Sequence, residues 1–258
     1  MEIILPVIIV GIIGFVAGVG LALASKFMSV PVDERVEKLS EALPGANCGA
    51  CGYSGCDGYA AAIASGEAEP DKCAAGGAAT AAAISEILGI EISAEKKKAF
   101  IACNGNRNIS KEKYSYLGME SCSAASLIFG GPLECSYGCI GFGDCIKACP
   151  FGAISYIDGK PTVCEDLCKG CGACVTACPK NLISVIPKSQ RINIGCSNKE
   201  KGVSVVKACS VSCIACGLCV KQCETGAIQL VDNLPVIDYS ICTACGKCKD
   251  ACKRKVIV

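Results

Sequence analysis

Cysteine dominates the chemistry open to this sequence. It supplies 25 of the 258 residues, far above ordinary globular usage. Such density means either a disulfide framework or metal ligation, and spacing separates the two. Most of these cysteines recur as CxxC units, which lets neighbouring thiolates converge on one metal centre. An odd total also sits badly with complete pairing into disulfides. Histidine is absent, which removes His-ligated haem, Rieske-type centres and mixed Cys/His zinc sites. Only all-thiolate sites remain.

A two-cluster bacterial ferredoxin reads CxxCxxCxxxCP, with three thiolates on one cubane and the fourth on its mate. Cys168, Cys171, Cys174 and Cys178-Pro179 match that run in full. Cys213, Cys216, Cys219 and Cys223 match it except for the proline, as do Cys242, Cys245, Cys248 and Cys252; Glu224 and Lys253 stand in its place. Cys135, Cys139, Cys145 and Cys149-Pro150 have wider spacing, filled by Gly138, Gly141 and Gly143. The crossover rule then predicts four clusters. They are Cys135/Cys139/Cys145/Cys178, Cys168/Cys171/Cys174/Cys149, Cys213/Cys216/Cys219/Cys252 and Cys242/Cys245/Cys248/Cys223.

An earlier set, Cys48, Cys51, Cys56 and Cys73, reads as a fifth cubane within glycine-rich turns. A structural zinc stays open there, because four cysteines also satisfy tetrahedral zinc. In the repeated triplets cubane capping fits better than zinc. Five [4Fe–4S] clusters thus account for twenty cysteines and leave Cys103, Cys122, Cys164, Cys196 and Cys209. A buried free thiol is the default for each. Cys103 with Cys122, or Cys196 with Cys209, could add ligands or form a labile disulfide.

The elements that must carry these sites follow from periodicity and breakers. Ile3 to Ser25 is a 23-residue stretch without a charged side chain, long enough for one transmembrane helix. A cleavable signal peptide would want a basic segment ahead of a shorter apolar core. Here Glu2 precedes the run and the first basic residue is Lys26, so the span is expected to stay, despite a cleavage-like Ala22-Leu23-Ala24. Lys26, Arg35 and Lys38 after it place the remainder in the cytoplasm by the positive-inside rule. Reducing conditions there keep thiols free. Gly14 and Gly18 read either as a small-xxx-small pair suited to close helix approach or as ordinary glycines of a membrane helix. The span carries no ionisable residue, so ion movement belongs to other subunits.

The fold class is α+β. Residues 1–28 hold the transmembrane helix, and 29–90 an amphipathic linker, reading as a helix over Val32–Leu43, with a small helical four-cysteine domain. Residues 91–130 connect, and their Lys96-Lys97-Lys98 reads as a solvated face. Residues 131–187 form the first ferredoxin-like module, 188–206 a linker and 207–258 the second module. Short β-runs are expected over 153–157, 183–186, 228–231 and 256–258, one after each cysteine run. A net charge of +1 indicates no nucleic-acid partner. No GxGxxG follows a strand to hold a nicotinamide or flavin, so no substrate-converting site is expected.

The segment Leu43-Pro-Gly-Ala-Asn-Cys48-Gly-Ala-Cys51-Gly-Tyr-Ser-Gly-Cys56 behind one membrane span resembles the B-subunit of the Rnf complex, as do Cys103-Asn-Gly, Gly130-Gly-Pro132 and Gly138-Cys-Ile-Gly-Phe-Gly-Asp-Cys145. The likeness covers nearly the whole chain and points to the longer, cysteine-rich form of the family. It implies a component of a membrane ferredoxin:NAD oxidoreductase that couples electron flow to Na⁺ or H⁺ translocation. It also implies soluble ferredoxin as electron donor, the other subunits of that complex as partners, and a single-pass location in the cell membrane with residues 3–25 in the bilayer. Competing readings are a polyferredoxin component of another membrane redox complex and a zinc-stapled membrane scaffold. A reductive activator of corrinoid proteins is a third, opposed by the lack of a corrinoid or ATP site.

Overall fold

The computed structural model describes residues 11, 12, 14–21, 23, 33–91 and 96–258. Of the expected membrane span, Ile3 to Leu23 falls partly outside these residues, and Ala24 and Ser25 wholly outside. Those that are described in it are helical and exposed, and all are apolar or glycine. Among the described residues no helix is long and apolar enough to cross a membrane.

The small helical domain begins at Asp33, whose carboxylate accepts the Arg35 backbone N–H at 2.9 Å and so caps the helix Glu34–Ala42. This helix packs on Cys56–Ala64 and Gly77–Leu88. Leu39, Tyr59 and Ile84 are fully buried between them, which fixes where the four-cysteine segment is held.

Among the described residues six strands form three antiparallel pairs: β1 (Lys97–Ile101) with β4 (Ile183–Pro187), β2 (Ile154–Ile157) with β3 (Lys160–Val163), and β5 (Ile228–Val231) with β6 (Leu234–Ile237). The β2–β3 and β5–β6 hairpins turn at Asp158-Gly159 and Asp232-Asn233, all with φ between +49° and +75°, the two-residue geometry that matches strand twist. Each hairpin separates the two cysteine runs of one module. The strands β3 and β6 were not expected from sequence, because Pro161 and Pro235 inside them argue against a strand; both sit on the outer edge of a two-stranded pair, where proline is tolerated.

Two further differences bear on the sites. Lys97–Ile101, in the stretch read as connecting, is a strand of the first module, with Lys98 only 8 % exposed and paired to Glu165. The run 256–258 makes an isolated bridge, Ile257 to Ile194, flanked by reciprocal Asn193–Val258 backbone hydrogen bonds. The segment between the modules is therefore laced onto the second one.

Candidate metal centres

In all four runs the third cysteine is set by a left-handed glycine. Gly143, Gly172, Gly217 and Gly246 have φ between 72° and 81° and open the short helices Asp144–Lys147, Ala173–Ala177, Leu218–Lys221 and Lys247–Ala251. A side chain is strained at such φ. The turn swings Cys145, Cys174, Cys219 and Cys248 inward, and all four are buried. Four residues after three of the fourth cysteines, a backbone N–H points back at sulfur: Ala153 to Cys149 Sγ at 3.3 Å, Leu182 to Cys178 at 3.5 Å and Val256 to Cys252 at 3.4 Å. Such donors stabilise anionic thiolates.

The second module brings cysteines from both of its runs together. Cys223, Cys242, Cys245 and Cys248 line one cavity. Burial pushes Cys219 up to about 11, with Cys213, Cys216 and Cys252 among the thiols facing it. In the first module Cys168 receives the Ala99 N–H at 3.3 Å from β1. Burial also raises Cys171, whose facing thiols include Cys149, Cys168 and Cys48 of the helical domain. Cys48, Cys51, Cys56 and Cys73 themselves line one cavity, beside Tyr59. There Asn47 Oδ1 accepts the Cys56 N–H at 2.8 Å. The Tyr59 hydroxyl donates to Glu69 O at 2.8 Å and accepts the Lys72 N–H at 3.0 Å, tying the Cys73 segment onto the helix that starts at Cys56.

The expected set Cys135, Cys139, Cys145 and Cys178 is divided by the fold. Cys139, Cys145 and Cys178 line an apolar cavity together with Cys122, walled by Ile101, Ile140, Leu182 and Ile183. Cys135 lines a different cavity with Cys103, Cys196 and Cys209, bordered by Cys139. Four of the five unassigned cysteines thus sit beside assigned ones; Cys164 is exposed and lines neither cavity. Their sequence neighbourhoods carry no CxxC spacing; of the two pairs raised from sequence, Cys196 and Cys209 share a cavity while Cys103 and Cys122 line different ones. Burial pushes Cys139 up to about 12 and Cys135 and Cys145 up to about 11.

Among the described residues no group of three or more cysteine or acidic side chains is arranged to hold a lone metal ion. The sulfurs surround cavities instead, with N–H donors aimed at them, and this fits a multi-atom [4Fe–4S] core. Such a group, when bound, supplies one-electron transfer, while the protein's residues position it and set its potential. Paired ferredoxin-like modules with all-thiolate cavities define an iron–sulfur electron-transfer protein.

Known families agree. Residues 43–75 match the family described as "Putative Fe-S cluster", and residues 138–183, 212–257 and 167–227 match families described as "4Fe-4S dicluster domain". The chain is 44 % identical over 257 residues to the B-subunit of the Na⁺-translocating ferredoxin:NAD⁺ oxidoreductase complex of Acetobacterium woodii, covering 99 % of this chain and 77 % of that one. It is 37 % identical to the B-subunit of the ion-translocating oxidoreductase complex of Methanosarcina acetivorans, covering 95 % and 94 % of the two chains. With the proton-translocating counterpart of Clostridium ljungdahlii it shares 40 % identity over 95 % of this chain and 87 % of that one. The chain belongs to this family, the B-subunits of the ion-translocating Rnf oxidoreductase complexes, and is an electron-transfer subunit of an oxidoreductase.

Proposed function

We propose that the chain takes electrons from reduced soluble ferredoxin at its carboxyl-terminal module and relays them through [4Fe–4S] clusters to the membrane subunits of an Rnf complex. The carrying observation is the exposure of Cys216 and Cys245 in that module, whose counterparts in the first, Cys139 and Cys171, are half-buried. Exposed Lys221, Lys247, Lys249, Lys253 and Lys255 lie in the same module, a surface that would steer an anionic partner. At the other end, Cys51 and Cys73 share one groove with Cys168 and Cys171, so the helical domain is the next station after the first module.

The ligands of this reading are Cys48/Cys51/Cys56/Cys73, Cys168/Cys171/Cys174/Cys149, Cys213/Cys216/Cys219/Cys252 and Cys242/Cys245/Cys248/Cys223, with a further cluster on Cys139, Cys145 and Cys178. Ile3–Ser25 anchors the chain in the bilayer, which its exposed apolar residues such as Phe15, Val16 and Leu21 favour. The helical domain follows within a short linker and so lies near the membrane, with the modules on the cytoplasmic side.

The test mixes the anaerobically loaded chain with reduced ferredoxin in stopped flow. Rapid bleaching of the visible charge-transfer absorbance, slowed by added salt as screened steering requires, is expected. A fully loaded chain that stays oxidised would overturn the donor assignment.

A further inference from the structure

We infer that Cys103, Cys135, Cys196 and Cys209 form a sixth [4Fe–4S] site between the two ferredoxin-like modules, and that Cys122 takes the place of Cys135 in the first module's cluster with Cys139, Cys145 and Cys178. The inference rests on the reading that the thiolate cavities hold such clusters, and it concerns ligands, not donors of electrons.

Two adjoining cavities carry it. One is lined by Cys103, Cys135, Cys139, Cys196 and Cys209, the other by Cys122, Cys139, Cys145 and Cys178. Cys139 alone borders both. Assigning it to the second cavity gives each cavity four thiolates, and it is the one division that does. Cys139 still serves the first cavity through its backbone, whose N–H points at Cys103 Sγ at 3.4 Å. The sulfurs of Cys209 and Cys103 converge on Gly105, where a Cβ would lie 3.4 Å from one and 3.7 Å from the other.

The donors around this cavity are those of a cluster site. Cys196 Sγ receives the N–H of Asn198 at 3.5 Å and that of Cys213 at 3.4 Å. Asn198, 1 % exposed, aims its Nδ2 at Cys135 Sγ at 3.7 Å. Its Oδ1 accepts the Glu200 N–H at 2.8 Å, which fixes the amide with its donor end toward sulfur. A buried amide spent on sulfur is costly unless that sulfur is anionic. The four cysteines come from four separate segments, held together by Asn104 N–H to Gly195 O at 2.8 Å and by the Ser110–Cys209 bridge. The site touches Cys139 on one side and Cys213 on the other, so it is the missing step between the modules. Electrons leaving the second module would otherwise have no thiolate-bound centre between Cys213 and the first module.

Iron and acid-labile sulfide counting on the full chain, loaded anaerobically in detergent, tests this. The expected count is roughly 24 iron atoms at four per cubane, and a parent count near 20 overturns the proposal whatever any variant does. Cys209→Ala should lose about four atoms, Cys135→Ala the same four, and the double variant no more than either. Cys122→Ala should lose a different cluster, so Cys122→Ala with Cys209→Ala loses about eight. Full iron in Cys209→Ala, full iron in Cys122→Ala, or a loss of about eight in Cys135→Ala with Cys209→Ala would each overturn it. A fully loaded chain that ignores ferredoxin would instead fail the donor assignment and leave this site standing.

Discussion

The two ferredoxin-like modules share a hairpin and left-handed glycines, yet one is closely wrapped and the other barer at its cysteines. The first is covered by β1, which donates Ala99 N–H to Cys168 and seats Lys98 against Glu165, and by the segment carrying Cys122. The second is laced to the segment before it by the Ile194–Ile257 bridge, the Asn193–Val258 hydrogen bonds and the Lys199–Asp232 pair, yet two of its cysteines are exposed. Repeated motifs therefore fix local cluster geometry, while burial of each cluster is decided by what lies outside the repeat. Such exposure is what the proposed contact with a soluble donor requires.

The position before the second cysteine of each run is the sharpest place to break this comparison. Gly170, between Cys168 and Cys171, has φ +68°, and a Cβ there would lie 2.9 Å from Lys97 O of β1. The matching residue of the second module is Ala244 at φ 53°, where no covering strand forbids a methyl group. Gly170→Ala combines a left-handed alanine with a backbone clash, at about 1–3 kcal/mol. It should unseat β1 and shed the Cys168/Cys171/Cys174/Cys149 cluster, a loss of roughly four iron atoms. Ala244→Gly relieves strain and should keep its iron. Equal iron contents in the two variants would mean that β1 does not protect the first module.

How much of this was legible in the sequence follows the same division. The four runs and the strands after Cys149, Cys178 and Cys223 are local, and spacing carries them. Strand β1 was hidden because three consecutive lysines look solvated; Lys98 tolerates burial only through Glu165, 67 residues away. The gathering of Cys103, Cys135, Cys196 and Cys209 around one cavity has no spacing signature at all, since each comes from its own segment.

A second contrast is protonation. Each ligand must shed its proton to bind a cluster, so loading weakens as pH falls, and more so where the thiol pKa is raised. Burial pushes Cys139 up to about 12 and Cys145 and Cys174 up to about 11. In the second module Cys219 is raised to about 11 and burial raises Cys213 and Cys248 as well, but Cys223 is lowered by its hydrogen bond with Thr225. Each pKa unit is worth about tenfold in the ionised fraction. At limiting iron and sulfide, loading between about pH 7 and 9 should rise more steeply in a Cys216→Ala, Cys245→Ala chain than in a Cys145→Ala, Cys171→Ala chain. Parallel curves would remove burial as the cause of the difference between modules.

The smallest expected effect concerns the residues that replace proline. Glu224 follows Cys223 where the first module has Pro150, and its carboxylate pairs with Lys247 beside Cys248. Both side chains are exposed, so the pair adds little to stability. Its charges nevertheless face a cluster that gains an electron on reduction, and an anion there opposes that electron while a cation favours it. Glu224→Gln should raise the midpoint potential of the Cys242/Cys245/Cys248/Cys223 cluster slightly, Lys247→Gln should lower it, and the double variant should return close to the parent. Because both side chains are exposed, both shifts should shrink in high salt. A redox titration followed by electron paramagnetic resonance at two salt concentrations reads all of this. If Glu224→Gln shifts the potential equally at both, the effect comes from repacking around Cys223 and not from its charge, and the bare module would be tuned by the same packing that governs the wrapped one.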